Sequence, residues 1–226
     1  MDTQNSLQEL IGQTDMRYIA VEGVIGAGKT ALCTLLGETL GARVVMEQFE
    51  ENPFLKDFYK DPERYAFQTQ IFFLLTRYRQ QRSLSQADLF HRFLVTDYIF
   101  EKDKIFAYLN LEDEELKLYE TLVESIEHNI IQPDLVVYLQ SSVPRLMQNI
   151  KHRGRSIEES ISEEYIRDLN EAYNYFFFRY KATSLLIVNA SELDFVGDPG
   201  HYGDLLSQIF RQNRAAVEYY NPIAKK

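Results

Sequence analysis

With a single cysteine, Cys33, the chain has no partner for a disulfide within itself, and that fits a reducing compartment. No apolar run approaches the ~20 residues that span a bilayer. The opening MDTQNSLQELIGQTD is polar and has no apolar core of the kind a secretory leader needs. A cytoplasmic protein without membrane contact is therefore expected. Positive charge is also scarce: 24 Lys and Arg against 34 Asp and Glu leave a net charge of -10. That is the wrong balance for a protein that grips nucleic acid by neutralising phosphates. Nor is there an internal repeat, a low-complexity tract or a Pro/Gly-rich linker. At 226 residues a single domain is expected, with bounds at 17–219. Residues 1–16 and 220–226 are tails, the first of them loose or a short helix.

Strand-like runs recur between helical stretches: YIAVE (18–22), RVVM (43–46), FLVTD (93–97), DLVVYL (134–139) and SLLIVN (184–189). Long helices are expected at about 62–84, 113–131, 162–181 and 203–217, from the spacing of their apolar residues. Such alternation predicts an α/β fold with a five-stranded parallel sheet flanked by helices. Ligands in these folds bind beyond the carboxyl ends of the strands.

The segment VEGVIGAGKT, residues 21 to 30, matches G-x-x-x-x-G-K-[ST], the phosphate-binding P-loop. It lies between the first strand and a helix that carries Leu32, Leu35, Leu36 and Leu40 and ends near Gly41, the context the motif requires. Gly23, Val24, Ile25, Gly26, Ala27, Gly28, Lys29 and Thr30 are the expected ATP contacts. The glycines bring backbone N–H groups onto phosphate oxygens, Lys29 reaches the β- and γ-phosphates, and the Thr30 hydroxyl ligates Mg²⁺. Cys33, on the same helix, reads as a packed thiol. A P-loop names the donor and leaves the acceptor open.

Glu47 follows the second strand directly, where a carboxylate can deprotonate an acceptor hydroxyl as it attacks the γ-phosphate. Its acidic surroundings, EQFEEN, leave a solvated surface glutamate as the alternative. Asp97 ends the third strand and is the natural second partner of Mg²⁺. KHRGRSIEES (151–160) follows a helix beginning near Val143 and sets Arg153 and Arg155 around Gly154. These arginines suit a mobile lid, because the planar guanidinium binds phosphate oxygens through several donors. They also suit a plain basic helix C-terminus.

FYKDPERYAFQTQIFFLLTR (58–77) resembles the substrate helix region of the deoxynucleoside kinase family, and EQFEENPFLKDFY looks like its bacterial purine members. With the P-loop, the lid RGRSIEE and the late IVNASELDF, the resemblance covers nearly the whole chain after residue 16. It implies a P-loop kinase fold with a lid, a homodimer packed through helices, and transfer of phosphate from ATP to a deoxynucleoside in nucleotide salvage. It also implies Glu47 as general base, Arg153 and Arg155 as lid arginines, Tyr59 and Glu158 as the pair on the sugar 3′-hydroxyl, and Gln70 and Arg77 at the nucleobase. Gln70 and Arg77 are two turns apart and share a helix face. A Gln amide offers both donor and acceptor to a base edge.

The chain departs from the family in two places. Asn149 stands where relatives often carry another arginine. After Asp97, Tyr98 occupies the place of the arginine that steadies the base carboxylate. Counting forward from Asp97 makes Asp103 the base-contacting acid; counting back from IFA makes Phe106 the base-stacking ring. The two counts differ by one residue. Phe176, Phe177 and Phe178 read as helix core.

Rival readings remain. A nucleoside monophosphate kinase would need arginines for an anionic acceptor, which Glu47 would repel. A GTP-dependent switch would need an Asn-Lys-x-Asp segment, and VNASELD lacks the lysine. A non-enzymatic regulatory protein would be expected to have lost Lys29 or the acids. The choice among deoxynucleosides falls on deoxyadenosine first, then deoxyguanosine or deoxycytidine.

Overall fold

The computed structural model describes residues 2–84 and 90–222. Its helices are α1 (Asp2–Gln13), α2 (Lys29–Leu40), α3 (Leu55–Phe58), α4 (Pro62–Leu84), α5 (Lys102–Asn110), α6 (Asp113–Ile126), α7 (Val143–Arg153), α8 (Glu163–Arg179) and α9 (Pro199–Ile209). The strands are β1 (Tyr18–Gly23), β2 (Arg43–Val45), β3 (Leu94–Thr96), β4 (Leu135–Gln140), β5 (Ser184–Asn189) and β6 (Val217–Tyr220). All pair in parallel, in the order β2-β3-β1-β4-β5-β6.

β1 sits centrally, with Ala20 facing Thr96 of β3 on one side and Val136 of β4 on the other. Every residue of β1 is buried, as a strand covered by helices on both faces must be. Leu32, Cys33 and Leu36 of α2 pack against the sheet, and the Cys33 thiol donates to the Thr96 carbonyl at 3.4 Å, so it is a packed thiol. Successive connections carry the chain from β1 out to β2 and back across to β4. The crevice flanking β1 is thus where the strand order reverses, the place where α/β sheets bind ligands. The P-loop after β1, Glu47 after β2 and Asp97 after β3 all open onto it.

Two glycines of the P-loop are fixed by backbone and space together. Gly26 has φ 86°, and a Cβ there would stand 2.7 Å from the Leu146 carbonyl oxygen. Gly28 has φ 99° and lies against the Phe195 ring. L-residues rarely adopt either conformation.

The C-terminal region corrects the expected layout. Among the described residues the sheet has six strands, not five, and the helix expected at 203–217 runs from Pro199 to Ile209. Pro199 occupies the first turn, where its missing N–H costs nothing, and Asp198 caps it by accepting from the N–H groups of Gly200 and His201. Asn213 takes a left-handed conformation, φ 54°, and the chain then returns as β6 beside β5. Val217 and Tyr219 face outward, Glu218 and Tyr220 partly inward; this period of two is a strand signal. The expected C-terminal tail therefore begins with a strand residue, Tyr220, and positions 223–226 of that tail lie outside the described residues, as does Met1. The N-terminal stretch, expected as a tail or short helix, forms α1. Phe177 is core, whereas Phe178 is exposed, contrary to the core reading of all three phenylalanines.

Arg214 joins α9 to β6. Its guanidinium donates to the carbonyls of Gln208 and Ile209 and to Glu218 Oε2, the last at 2.7 Å. Arg214→Ala leaves two helix-end carbonyls and a carboxylate without this donor. It should lower stability by about 1–3 kcal/mol, read as a lower urea midpoint at unchanged slope.

Candidate active site

The P-loop separates two cavities. One is lined by Glu47, Tyr59, Gln70, Arg77, Phe106 and Tyr165 among others. The second runs between α7 and the loop at 193–196. Gly26, Lys29, Thr30, Arg153 and Arg155 line both. A group passed from one cavity to the other must cross at these five residues.

Glu47 lines the first cavity and is held by two cations. Arg77, reaching from α4, donates to Glu47 Oε1 through Nε at 2.7 Å and Nη2 at 2.6 Å. Lys102, on the first turn of α5, donates to Oε2 at 2.7 Å. Burial alone would push this carboxyl up, but the two cations hold it down to about 2, so Glu47 is a carboxylate at any working pH. The alternative of a solvated surface glutamate is excluded, because its side chain is only 15% exposed. The Glu47 backbone N–H donates to Asp97 Oδ1 at 2.6 Å, which fixes where β2 delivers the side chain.

Asp97 also accepts from the Thr30 hydroxyl, at 3.3 Å to Oδ2. These two hard oxygen donors converge beside Lys29 and fit a Mg²⁺ ion, which takes few protein ligands and completes its shell with phosphate oxygens and water. Among the described residues no group of three acidic, histidine or cysteine side chains is placed to chelate a metal unaided. Lys29 folds back on the loop, donating to the carbonyls of Gly23 at 2.7 Å and Val24 at 3.2 Å. Burial lowers its pKa, and Lys102 lowers it further.

The substrate-side residues fall into place unevenly. Tyr59, Gln70, Arg77, Phe106 and Glu158 all line the first cavity. Phe106 and Asp103 are three residues apart on α5, yet only Phe106 lines the cavity. Asp103 itself does not line the cavity. It lies behind Arg77: its Oδ1 accepts from Arg77 Nη1, its Oδ2 from the Tyr119 hydroxyl at 2.8 Å. In this arrangement Asp103 reaches the cavity only through its pairing with Arg77. Gln70 Nε2 donates to the Asp103 backbone carbonyl at 2.8 Å, which leaves the Gln70 amide oxygen as its acceptor for a ligand.

The lid segment follows the end of α7. Arg153 Nη2 donates to both oxygens of Glu158, at 2.5 and 2.6 Å. Arg155 lies 4.6 Å over the Phe49 ring and 3.7 Å from Glu158 Oε1. Glu158 is buried beneath these arginines. Asn149, where another arginine would add lid charge, instead donates to the Gly26 carbonyl at 2.8 Å and ties α7 to the P-loop.

Two buried charges were not singled out from the sequence. Glu22 accepts from the N–H groups of Gly23 at 3.0 Å and Ile99 at 2.9 Å, joining the P-loop to the segment after β3. Burial pushes its carboxyl up. Lys102 sits at a helix N-terminus, where the dipole disfavours a cation; that placement is the signal that marks it as held by an acid. Tyr98 is fully buried and does not line the cavity; the second cation beside Glu47 is Lys102, the first residue of α5.

The family model for deoxynucleoside kinases matches residues 19–213. A deoxyadenosine kinase of Dictyostelium discoideum is 35% identical over 212 residues, covering 91% of this chain and 82% of the relative. A deoxyguanosine kinase of Bacillus subtilis is 34% identical over 157 residues, covering 69% and 76%. Among solved structures, a deoxyadenosine kinase from M. mycoides with bound dATP superposes with a TM-score of 0.75 at 27% identity, covering 85% of this chain and 98% of that one. The chain is a kinase and belongs to the deoxynucleoside kinase family.

Proposed function

We propose that this enzyme transfers the γ-phosphoryl group of ATP to the 5′-hydroxyl of a deoxynucleoside in nucleotide salvage, with deoxyadenosine as first substrate and deoxyguanosine or deoxycytidine behind it. The observation that carries the reading is Glu47: an ionised carboxylate clamped between two cations where the nucleoside cavity meets the P-loop. A neutral hydroxyl can donate a hydrogen bond to it, whereas the phosphate of a nucleoside monophosphate would be repelled.

In this reading the P-loop N–H groups and Lys29 hold the triphosphate, and Thr30 and Asp97 hold Mg²⁺, which offsets charge on the phosphate oxygens. Tyr59 and Glu158 hold the sugar. Glu47 orients the 5′-hydroxyl in line with the γ-phosphorus; with its carboxyl held down to about 2 it is a weak base, so it takes the proton late, as the new O–P bond acidifies the hydroxyl. Arg153 and Arg155 leave Glu158 and Phe49 in part to meet the equatorial oxygens of the moving phosphoryl group, where the charge spreads. Phe106 stacks on the base. The Gln70 oxygen accepts from an exocyclic amine, which adenine and cytosine carry and thymine lacks. A buried amide oxygen left without a donor costs about 1–3 kcal/mol, and this disfavours thymidine. The names of the relatives, deoxyadenosine and deoxyguanosine kinases, support the purine order.

Residues 17–219 are the catalytic domain in this reading. A cytoplasmic location accords with the buried Cys33 and with the lack of a helix long and apolar enough to cross a membrane among the described residues. A homodimer accords with exposed leucines on two helices that pack together, Leu75 on α4 and Leu118 and Leu122 on α6.

ADP release measured with the four deoxynucleosides and their monophosphates tests the assignment. The deoxynucleosides should turn over with deoxyadenosine highest in kcat/KM. Turnover of monophosphates alone would overturn the acceptor, and a preference for thymidine would overturn the pocket reading. Glu47→Gln should lower kcat by at least about 10²-fold while ATP still binds; near-normal turnover in a folded variant removes Glu47 from the role. Sedimentation equilibrium should give twice the 26.5 kDa of the chain, and a monomer would exclude the dimer.

A further inference from the structure

We propose that Lys102 is a positioning residue for phosphoryl transfer, fixing the second oxygen of the Glu47 carboxylate and neutralising a charge cluster that Arg77 alone leaves negative. The inference rests on the reading of Glu47 given above and adds a residue to it.

The charge count comes first. Arg77 serves two carboxylates at once, Glu47 and Asp103. Both oxygens of Asp103 accept hydrogen bonds, and Arg77 and Tyr119 so oppose the burial that pushes its carboxyl up. One guanidinium against two carboxylates leaves one net negative charge at the spot where the proposed substrate brings a polyanion. Lys102 supplies the second cation for these two carboxylates, and it also acts on the buried Glu22, with Lys29 and Asp97 close by.

Geometry adds a second argument. Arg77 places two N–H groups on Oε1, so the carboxylate can still pivot about that oxygen. Lys102 holds Oε2 from a different helix. Only with both oxygens held is the plane of the carboxylate set, and a hydroxyl must meet that plane within a narrow range to attack in line.

The placement of the lysine itself is the third. Lys102 is only 2% exposed, lines the nucleoside cavity, and sits where the helix dipole opposes it. Among the described residues Glu47 is its one hydrogen-bond partner. Lys104, two residues on, shows the ordinary alternative: it pairs with Glu127 at the surface with 38% of its side chain exposed. Removing one partner of a buried ion pair strands the other charge and destabilises the fold, so a purely structural role predicts lower stability while the folded protein keeps its kcat.

Single-turnover and steady-state kinetics on wild type, Lys102→Met, Lys102→Arg, Glu47→Gln and the double variant Glu47→Gln/Lys102→Met, with deoxyadenosine and ATP, decide the matter. Lys102→Met should lower kcat by at least about 30-fold with deoxyadenosine KM changed by less than about 3-fold. Lys102→Arg should recover most of the loss. In the Glu47→Gln background the same Met substitution should cost less than about 3-fold, because its effect passes through Glu47. Equal losses in both backgrounds, or normal kcat in a folded Lys102→Met, overturn the Lys102 assignment and leave the kinase reading standing. Wild-type turnover by Glu47→Gln overturns both. If Lys102→Met fails to fold by circular dichroism, Lys102→Gln carries the same comparison.

Discussion

A carboxylate buried between an arginine and a lysine is the constraint around which this site is organised. Taking Glu47 out of water opposes its charge, and the cations that restore it must themselves be buried. Arg77 and Lys102 come from α4 and α5, and Gln80 of α4 also donates to the Met46 carbonyl just after β2, at 3.1 Å. Arg77 then needs Asp103, and Asp103 needs Tyr119 on α6 for its second oxygen. One ionised group thus sets the mutual position of three helices and a strand end. Removing any member leaves a buried charge exposed to its neighbours without compensation. A well-packed apolar cluster would be at least as stable, so the network points to a requirement for negative charge at this spot.

The sheet supplies the rest of the geometry. Because every strand is parallel, the carboxyl ends of β1, β2 and β3 lie along one edge, and the residues that follow them share one crevice. Asp97 is the hinge of that edge: one oxygen takes the Glu47 N–H, the other the Thr30 hydroxyl. It therefore joins the acceptor side to the P-loop directly. Glu22 does similar work one layer deeper, through backbone N–H groups alone. The distance between donor and acceptor is fixed by backbone and buried carboxylates, while the groups expected to move, Arg153 and Arg155, stand on the segment after α7.

The parts of this arrangement legible in the sequence were those that depend on local pattern. The P-loop declares itself because its glycines, lysine and threonine answer to one short backbone shape. α4 declares itself through helical periodicity, and with it the common face of Gln70 and Arg77. What stayed hidden depends on tertiary pairing. Nothing local says that Asp103 turns toward Arg77 rather than toward a ligand, or that Lys102 reaches across 55 positions to Glu47. The sixth strand was missed for another reason. VEYY is four residues long, follows an apolar helix, and its alternation is too short to outweigh the periodicity running into it. Tyr98 shows the limit of resemblance: a position can lose its expected cation while the site keeps one, supplied by Lys102.

The cations of the site all have internal partners. Lys29 rests on two loop carbonyls, Arg77 and Lys102 on Glu47, Arg153 on Glu158, and Arg155 on the Phe49 ring. In a chain of net charge -10 this is how positive charge is kept concentrated at one crevice rather than spread over the surface. It also divides the cations by what a triphosphate can take. Neutral carbonyls hold Lys29 weakly compared with phosphate oxygens, so exchange there favours the ligand. Arg153 must give up a bidentate carboxylate contact, so its transfer to phosphate is closer to balanced and reversible. Arg77 and Lys102 are held by a buried carboxylate that would be stranded without them, so they have least reason to leave. The three grips therefore run from loose at the P-loop, through intermediate on the segment after α7, to firm at Glu47.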